Sequence, residues 1–138
     1  IEYGHKHFGE NKVQEAIEKW SEIKNSNKDL KLHLIGKLQT NKVKFALKIF
    51  DYIHSLDNEK LAKKISDEQE KQNKKPKIFI QINLGEEVQK SGIMKENLLD
   101  FYQFSKDLRF QRIPAPGIIV SPSCLNCLCF DCVMFHCI

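Results

Sequence analysis

Short apolar runs alternate with segments of helical periodicity along this chain, and that alternation limits the fold more than any other feature. The run at 78–83 is almost continuously apolar, and Gly85 follows it closely. Such a run is typical of a strand that is covered on both faces in a parallel sheet. Strands that alternate with helices at this spacing predict an α/β fold with crossover connections. An open doubly wound sheet and a segment of a (β/α) barrel both satisfy the pattern.

The element boundaries follow from the periodicity and from glycine, proline and capping residues. Strands are predicted at 31–36, 52–55, 78–83 and 117–120. Helices are predicted at 11–24, from about 40 to 50, from about 58 to 72, and at 95–107.

Particular residues are expected to begin these helices or to be buried by them. Asn11 is the predicted N-cap of the first helix, with Gln14 in capping-box position. The next two helices have alternative caps, which are Thr40 or Asn41 and then Asp57 or Asn58. The last helix is expected to bury Leu98, Phe101, Tyr102, Ser105 and Leu108.

Polar segments follow the strands or candidate strands, at 9–11, 36–39, 55–57 and 83–86. Functional residues of parallel α/β folds collect at the C-terminal ends of strands. For any single segment, helix capping is the simpler interpretation. Lys37 directly follows a strand, but in so lysine-rich a chain this is expected by coincidence.

Charge and apolar runs exclude two classes of partner. The net charge is +4, and of the 22 basic residues only Arg109 and Arg112 are arginines. Sequence-specific nucleic-acid readers depend on arginine forks and aromatic platforms, so no nucleic-acid partner is predicted. The longest apolar runs fall far below the roughly 20 residues of a membrane helix. No membrane partner and a cytoplasmic location are therefore predicted.

All five cysteines lie between Cys124 and Cys137. A disulfide framework would staple the body of the fold, so this distribution instead marks a boundary between a domain at 1–123 and a Cys-rich tail at 124–138. Two CxxC pairs in the tail suggest zinc, but only Leu128 separates them, whereas zinc sites place a loop between such pairs. No metal site is predicted, and the tail is expected to be a non-native or frame-shifted end.

Four motifs in order resemble one family. Residues 8–15 read FGENKVQE, which looks like the signature FGENxVQE, and 33–42 read HLIGKLQTNK, which looks like HxIGxLQxNK. Residues 53–57 (IHSLD) are similar to IHSVD, and 81–92 are similar to the element QVN…E…K.G. The family is that of the pyridoxal phosphate homeostasis proteins, whose barrel is like the N-terminal domain of alanine racemase. The resemblance runs from about Tyr3 to about Leu108.

This resemblance implies a partial (β/α) TIM-type barrel that lacks N- and C-terminal barrel units, with pyridoxal 5′-phosphate lying over the strand ends. It implies four cofactor-binding positions, which are Asn11, His33, Asn83 and Lys90. A strand histidine such as His33 is more often a packed or hydrogen-bonded core residue, and Lys90 is more often a solvated loop charge. Asn11 is therefore ranked first among the four.

The resemblance also implies what the intact protein does. In the family the Schiff-base lysine lies upstream of the FGEN motif and the phosphate-binding strands come last, and this chain begins at Ile1 with no counterpart of that lysine. We expect a truncated, non-enzymatic protein of intracellular cofactor storage and delivery. A racemase-like pyridoxal-phosphate enzyme is the alternative. A third possibility is self-association through the open sheet edges that a partial barrel leaves.

Overall fold

A computed structural model describes residues 4–83, 91–108, 110 and 118–120 of the chain. The strands are β1 (His7–Glu10), β2 (Lys31–Leu34), β3 (Tyr52–Leu56), β4 (Lys77–Asn83), β5 (Ile93–Met94) and β6 (Ile118–Val120). The helices are α1 (Val13–Ser26), α2 (Val43–Ile49), α3 (Glu59–Gln72) and α4 (Leu98–Asp107). Short 3₁₀ turns at Thr40–Lys42 and Lys95–Asn97 precede α2 and α4.

The described strands form one parallel sheet, as the alternation of strands and helices predicts. β1, β2, β3 and β4 lie side by side in chain order, and β4 also pairs with β5 and β6. The helices contact one another in the same order, α1 with α2, α2 with α3, and α3 with α4. A doubly wound sheet would reverse its strand order and divide its helices between two faces. The described order is therefore that of a (β/α) barrel segment.

Strand register assigns each side chain to one of two faces. Gly9 is level with His33, His33 with Tyr52, and Tyr52 with Lys77, so these residues share a face. We call it the open face. Leu32 and Leu34 alternate with His33 and point toward the helices.

The helix-facing side of the sheet carries the apolar core. Leu34, Ile53 and Ile65 are fully buried there, and the ring of Phe8 packs 4.7 Å from that of Trp20. Burial of each such aliphatic side chain contributes about 1.5–3 kcal/mol. The buried members of the core are Val13, Ala16, Trp20, Leu30, Leu32, Leu34, Leu38, Val43, Ala46, Leu47, Ile49, Phe50, Ile53, Leu56, Leu61, Ala62, Ile65 and Phe101.

Asp51 joins four elements where the strands begin. Its Oδ2 accepts hydrogen bonds from the Lys24 ammonium at 2.6 Å and from the Leu32 backbone N–H at 2.8 Å. Its carbonyl accepts the backbone N–H of Lys77 at 2.9 Å. The end of α1 and the starts of β2, β3 and β4 are thereby held in a common register.

Two of the three predicted N-caps are wrong. α1 begins after an extended Lys12, and no side chain caps it, so Asn11 and Gln14 form no capping box. The region of Thr40 and Asn41 forms the 3₁₀ turn, also without a side-chain cap. The third start is confirmed, because Asn58 Oδ1 accepts the backbone N–H of Leu61 at 2.9 Å.

The buried face of α4 is narrower than predicted. Phe101 and Ser105 are buried, as expected for residues one turn apart. Tyr102 is 36% exposed. It directly follows Phe101, and successive residues of an α-helix lie about 100° apart around the axis, so the two side chains point in different directions. Leu98 and Leu108 are half-buried. The predicted strand at 117–120 is confirmed over its described part as β6 (Ile118–Val120), and Gly117 lies outside the described residues.

Candidate functional site

Two of the four predicted site residues lie where parallel α/β folds place their sites. Asn83 ends β4 and is 1% exposed, whereas Asn11 directly follows β1 and is exposed. Two strands separate β1 from β4, so the two residues stand on the order of 14 Å apart along the sheet. His33 lies within β2 and is half-buried. Lys90 falls outside the described residues.

Gly36 sets the position of the Asn11 backbone. A Cβ at residue 36 would overlap the Asn11 carbonyl oxygen and would lie 2.8 Å from its Cα. The neighbouring Ile35 N–H donates to the Glu10 carbonyl at 3.0 Å and so extends the β1–β2 ladder to this point. Only glycine allows the two chain segments to approach so closely.

Gly92 has the same role beside Asn83. Its φ of +122° is one that side chains rarely allow, and a Cβ there would lie 2.7 Å from the Asn83 backbone nitrogen. Both glycines belong to the motifs that carry the family resemblance. Close backbone packing at the ends of β1 and β4 therefore explains why glycine stands at both motif positions.

Glu10 fixes the end of β1 against α1. Its Oε1 accepts hydrogen bonds from Trp20 Nε1 at 2.6 Å and from the Lys19 ammonium at 2.8 Å. Partial burial would raise the pKa of Glu10, but the hydrogen bonds from Lys19 and Trp20 and the charge of Lys19 outweigh it and lower that pKa. Glu10 thus stays ionised and anchors the residue that precedes Asn11.

Three histidines form a hydrogen-bonded series across the open face, which we call the histidine column (His7, His33 and His54). His7 Nδ1 lies 2.9 Å from His33 Nε2, and His33 Nδ1 lies 2.9 Å from His54 Nε2. The His33 ring stacks on Tyr52 at 4.1 Å, and the His54 ring stacks on Phe79 at 4.6 Å.

Burial keeps the inner part of this column neutral. Burial, and then the neighbouring His7, lower the pKa of His33 to about 4, against an opposing effect of Asp51. Burial, and then His33, lower the pKa of His54 to about 3. Imidazoles that stay neutral at physiological pH can both donate and accept hydrogen bonds.

Two side-chain atoms of β3 are buried without a hydrogen-bond partner among the described residues. They are Nδ1 of His54 and Oγ of Ser55. Buried polar atoms normally have a partner, so these two identify a place on β3 where a polar group of a ligand would be stabilised.

Within the part of the chain that the structure describes, no three His, Cys, Asp or Glu side chains are grouped to hold a metal ion. Over the same residues, no helix is long and apolar enough to cross a membrane. The cysteines of the tail lie outside the described ranges.

A parallel sheet with sequential strand order and helices between its strands defines a (β/α)-barrel protein. The family model for the N-terminal domain of alanine racemase matches residues 1–118. The chain belongs to this family, and the fold is a partial barrel of its kind.

The chain is similar to proteins named for pyridoxal phosphate. It is 40% identical over 123 residues to the pyridoxal phosphate homeostasis protein of Aquifex aeolicus, covering 89% of this chain and 52% of that protein. PipY of Synechococcus elongatus, solved without pyridoxal phosphate, superposes with a TM-score of 0.76 at 37% identity, over 85% of this chain and 53% of PipY. The structure of PipY with the cofactor bound gives 0.73 at 36% identity, over 85% of this chain and 52% of PipY. The chain thus spans about half the length of these relatives.

Sequence patterns located the strand-end residues but not the histidine column. The alternation of polar residues after strands located Asn11 and Asn83. His7, Tyr52 and His54 were not predicted as site residues, because no local pattern links His7 in β1 to His33 in β2 or to the two residues in β3. The one signal was that β2 and β3 each carry a histidine in the third position, and only register shows that these rings meet.

Replacing Gly36 with alanine is expected to destabilise the protein by about 1–3 kcal/mol, because the methyl group has only backbone atoms to displace. The matched control is Gly9→Ala. A Cβ at residue 9 would lie 3.3 Å from the tip of the exposed Ile35 side chain, which can move. That change should stay within about 0.5 kcal/mol. Urea denaturation compares the two variants, and equal effects would contradict the close-approach argument.

Acidification is expected to destabilise the fold through the histidine column. The folded pKa values of His33 and His54 lie below the ordinary 6.5, so the unfolded chain binds more protons. The free energy of unfolding therefore keeps its full value above about pH 6.5 and falls as the pH is lowered toward 4. The loss is at most about 1.4 kcal/mol per pH unit for each histidine, and less for the half-exposed His33. The urea midpoint as a function of pH measures this, and His54→Gln should show a shallower dependence than His5→Gln. Parallel curves would refute the assignment.

Proposed function

We propose that the strand ends of this chain form part of a pyridoxal 5′-phosphate site and that the protein serves cofactor storage and delivery, not catalysis. The observation that carries this is the position of the two motif glycines. Gly36 and Gly92 pack on the backbones of Asn11 and Asn83 and fix both asparagines at the C-terminal edge. A cytoplasmic location is part of the proposal, since stored cofactor serves enzymes made there.

The chemistry of the edge suits a small, polar, aromatic cofactor. Side-chain amides of Asn11 and Asn83 can donate to and accept from ring substituents. Deeper on the open face, His33 presents an imidazole that is stacked on Tyr52. A cofactor-binding role for Lys90 is supported by the family resemblance alone.

The described lysines beside the ends of β1 and β2 do not suit covalent attachment. A Schiff-base lysine needs a partly neutral amine, which desolvation promotes. The lysines that follow β1 and β2 are Lys12 and Lys37, and both are exposed. The hydrogen bond and charge of Glu15 raise the pKa of Lys12 and keep it protonated. Lys77 lies on the open face, but at the opposite edge, with its ammonium 3.4 Å from the Tyr52 hydroxyl.

Pyridoxal phosphate is therefore expected to bind this chain reversibly. Absorbance titration should show binding, and borohydride reduction followed by peptide mapping should show no lysine labelled stoichiometrically. Asn11→Ala should weaken binding about 2- to 10-fold, as for the loss of one hydrogen bond. Asn25→Ala, an exposed asparagine within α1, is the matched control and should bind as the parent does.

Three results would count against this proposal. Stoichiometric labelling of one lysine would refute reversible binding, and the absence of any cofactor-dependent spectral change would refute the site itself. Turnover of an amino acid with added cofactor would favour the racemase-like enzyme instead.

A second proposal concerns self-association. Among the described strands, β1 has one neighbour, β2. The carbonyls of Lys6, just before β1, and of Glu10, at its end, face β2, because they accept from the backbone N–H groups of Lys31 and Ile35. Successive residues of a strand direct their backbone N–H and C=O groups to opposite sides, so those of Gly9 point away from β2. An edge of this kind can pair with a strand of another copy.

Blocking that edge should reduce association. Gly9→Pro removes an outward N–H without removing a bond to β2 and is compatible with an edge strand. Light scattering coupled to size-exclusion chromatography is expected to show a lower mean mass for Gly9→Pro than for Gly9→Ala at equal concentration. A sharp monomer peak for the parent chain would exclude edge pairing.

A further inference from the structure

The histidine column runs obliquely across β1, β2 and β3, from the start of β1 in the direction of the C-terminal strand ends. His7 is level with Lys31, and His33 lies two residues beyond Lys31 in β2. His33 is in turn level with Tyr52, and His54 lies two residues beyond Tyr52 in β3. Four residues of strand rise about 13 Å. The column therefore starts where β1 and β2 begin and ends at His54, which lies near the level of Phe79, four residues before Asn83 in β4.

Both nitrogen pairs of the column are at hydrogen-bonding distance, 2.9 Å each. A neutral imidazole has one N–H donor and one acceptor nitrogen. Only two arrangements therefore satisfy both bonds: every ring carries its proton on Nδ1, or every ring carries it on Nε2.

The two ends of the column decide between these arrangements. His54 is 8% exposed, and its Nδ1 has no partner among the described residues. A buried N–H without a partner is rarer than a buried acceptor without one. His7 is exposed, so water can accept from its Nε2–H. Protonation of each ring on Nε2 is favoured, which leaves a free lone pair on the buried Nδ1 of His54.

The groups around the column shield it without competing for its hydrogen bonds. Tyr52 and Phe79 stack on its rings from β3 and β4. The Lys77 ammonium lies near the Tyr52 hydroxyl, and the Asp51 carboxylate acts on His33 only through its charge. Among the described residues, the hydrogen bonds of the three histidine rings are thus the two that join the rings to one another.

We propose that the histidine column is a proton relay between the buried end of the open face and solvent. A protic group held against His54, such as a ligand hydroxyl or a water molecule, gives its proton to His54 Nδ1. His54 passes its Nε2 proton to His33 Nδ1, and His33 passes its own to His7 Nδ1. His7 releases its Nε2 proton to water, so one proton enters and one leaves. The same steps in reverse restore the original tautomers.

The parent chain provides the first test, and it does not depend on cofactor binding. Nitrogen-15 NMR of histidine side chains near pH 7.5 is expected to show His33 and His54 neutral and protonated on Nε2. A proton on Nδ1 of His54, or a charged His54 at that pH, would overturn the relay.

A variant tests transfer separately from geometry. In His7→Gln the side-chain oxygen can still accept from His33, but an amide cannot pass a proton onward. The exchange of the His54 Nε2 proton with water should slow by about tenfold or more, equivalent to about 1.4 kcal/mol of barrier. His5→Gln, which replaces an exposed histidine outside the column, should leave this rate unchanged. An unchanged rate in His7→Gln would overturn the proposal.

Discussion

The register between β1, β2 and β3 is the constraint on which the other features of this molecule depend. Side chains alternate strictly along a strand, so a shift of one residue would exchange the two faces of the sheet. In the observed register Leu32, Leu34 and Ile53 meet the helices, while the histidine column meets solvent and aromatic rings. Asp51 supports this register, because one carboxylate is bonded to both the β2 backbone and the α1 lysine.

The C-terminal edge depends on backbone approach as much as on side chains. Gly36 and Gly92 bring loops against the ends of β1 and β4, and Glu10 holds the end of β1 to α1. The polar residues of the candidate site therefore sit on segments whose paths are set by neighbouring backbone. An arrangement of this kind places Asn11 and Asn83 without either of them capping a helix in the described structure.

The open face and the C-terminal edge have different chemistry. The edge offers amides, which suit recognition of a small polar ligand. The open face offers three linked imidazoles that burial holds neutral, which suits movement of protons. By register the column ends at His54, near the level of Phe79 and four residues before Asn83, so the two regions occupy different levels of the sheet.

The amino-acid sequence by itself determined the alternation of strands and helices, the family, and the strand-end positions of Asn11 and Asn83, because these depend on periodicity and local motifs. It misplaced the cap at Asn11 and the cap at Thr40 or Asn41, since capping depends on the path of the preceding loop, which at Asn11 is held by contact with Gly36. Periodicity left a doubly wound sheet open, and the barrel was predicted from the family resemblance, which the strand order confirms. Only the tertiary structure assembled the histidine column. Strand register brings together residues 26 and 21 positions apart, and no local pattern encodes such pairings.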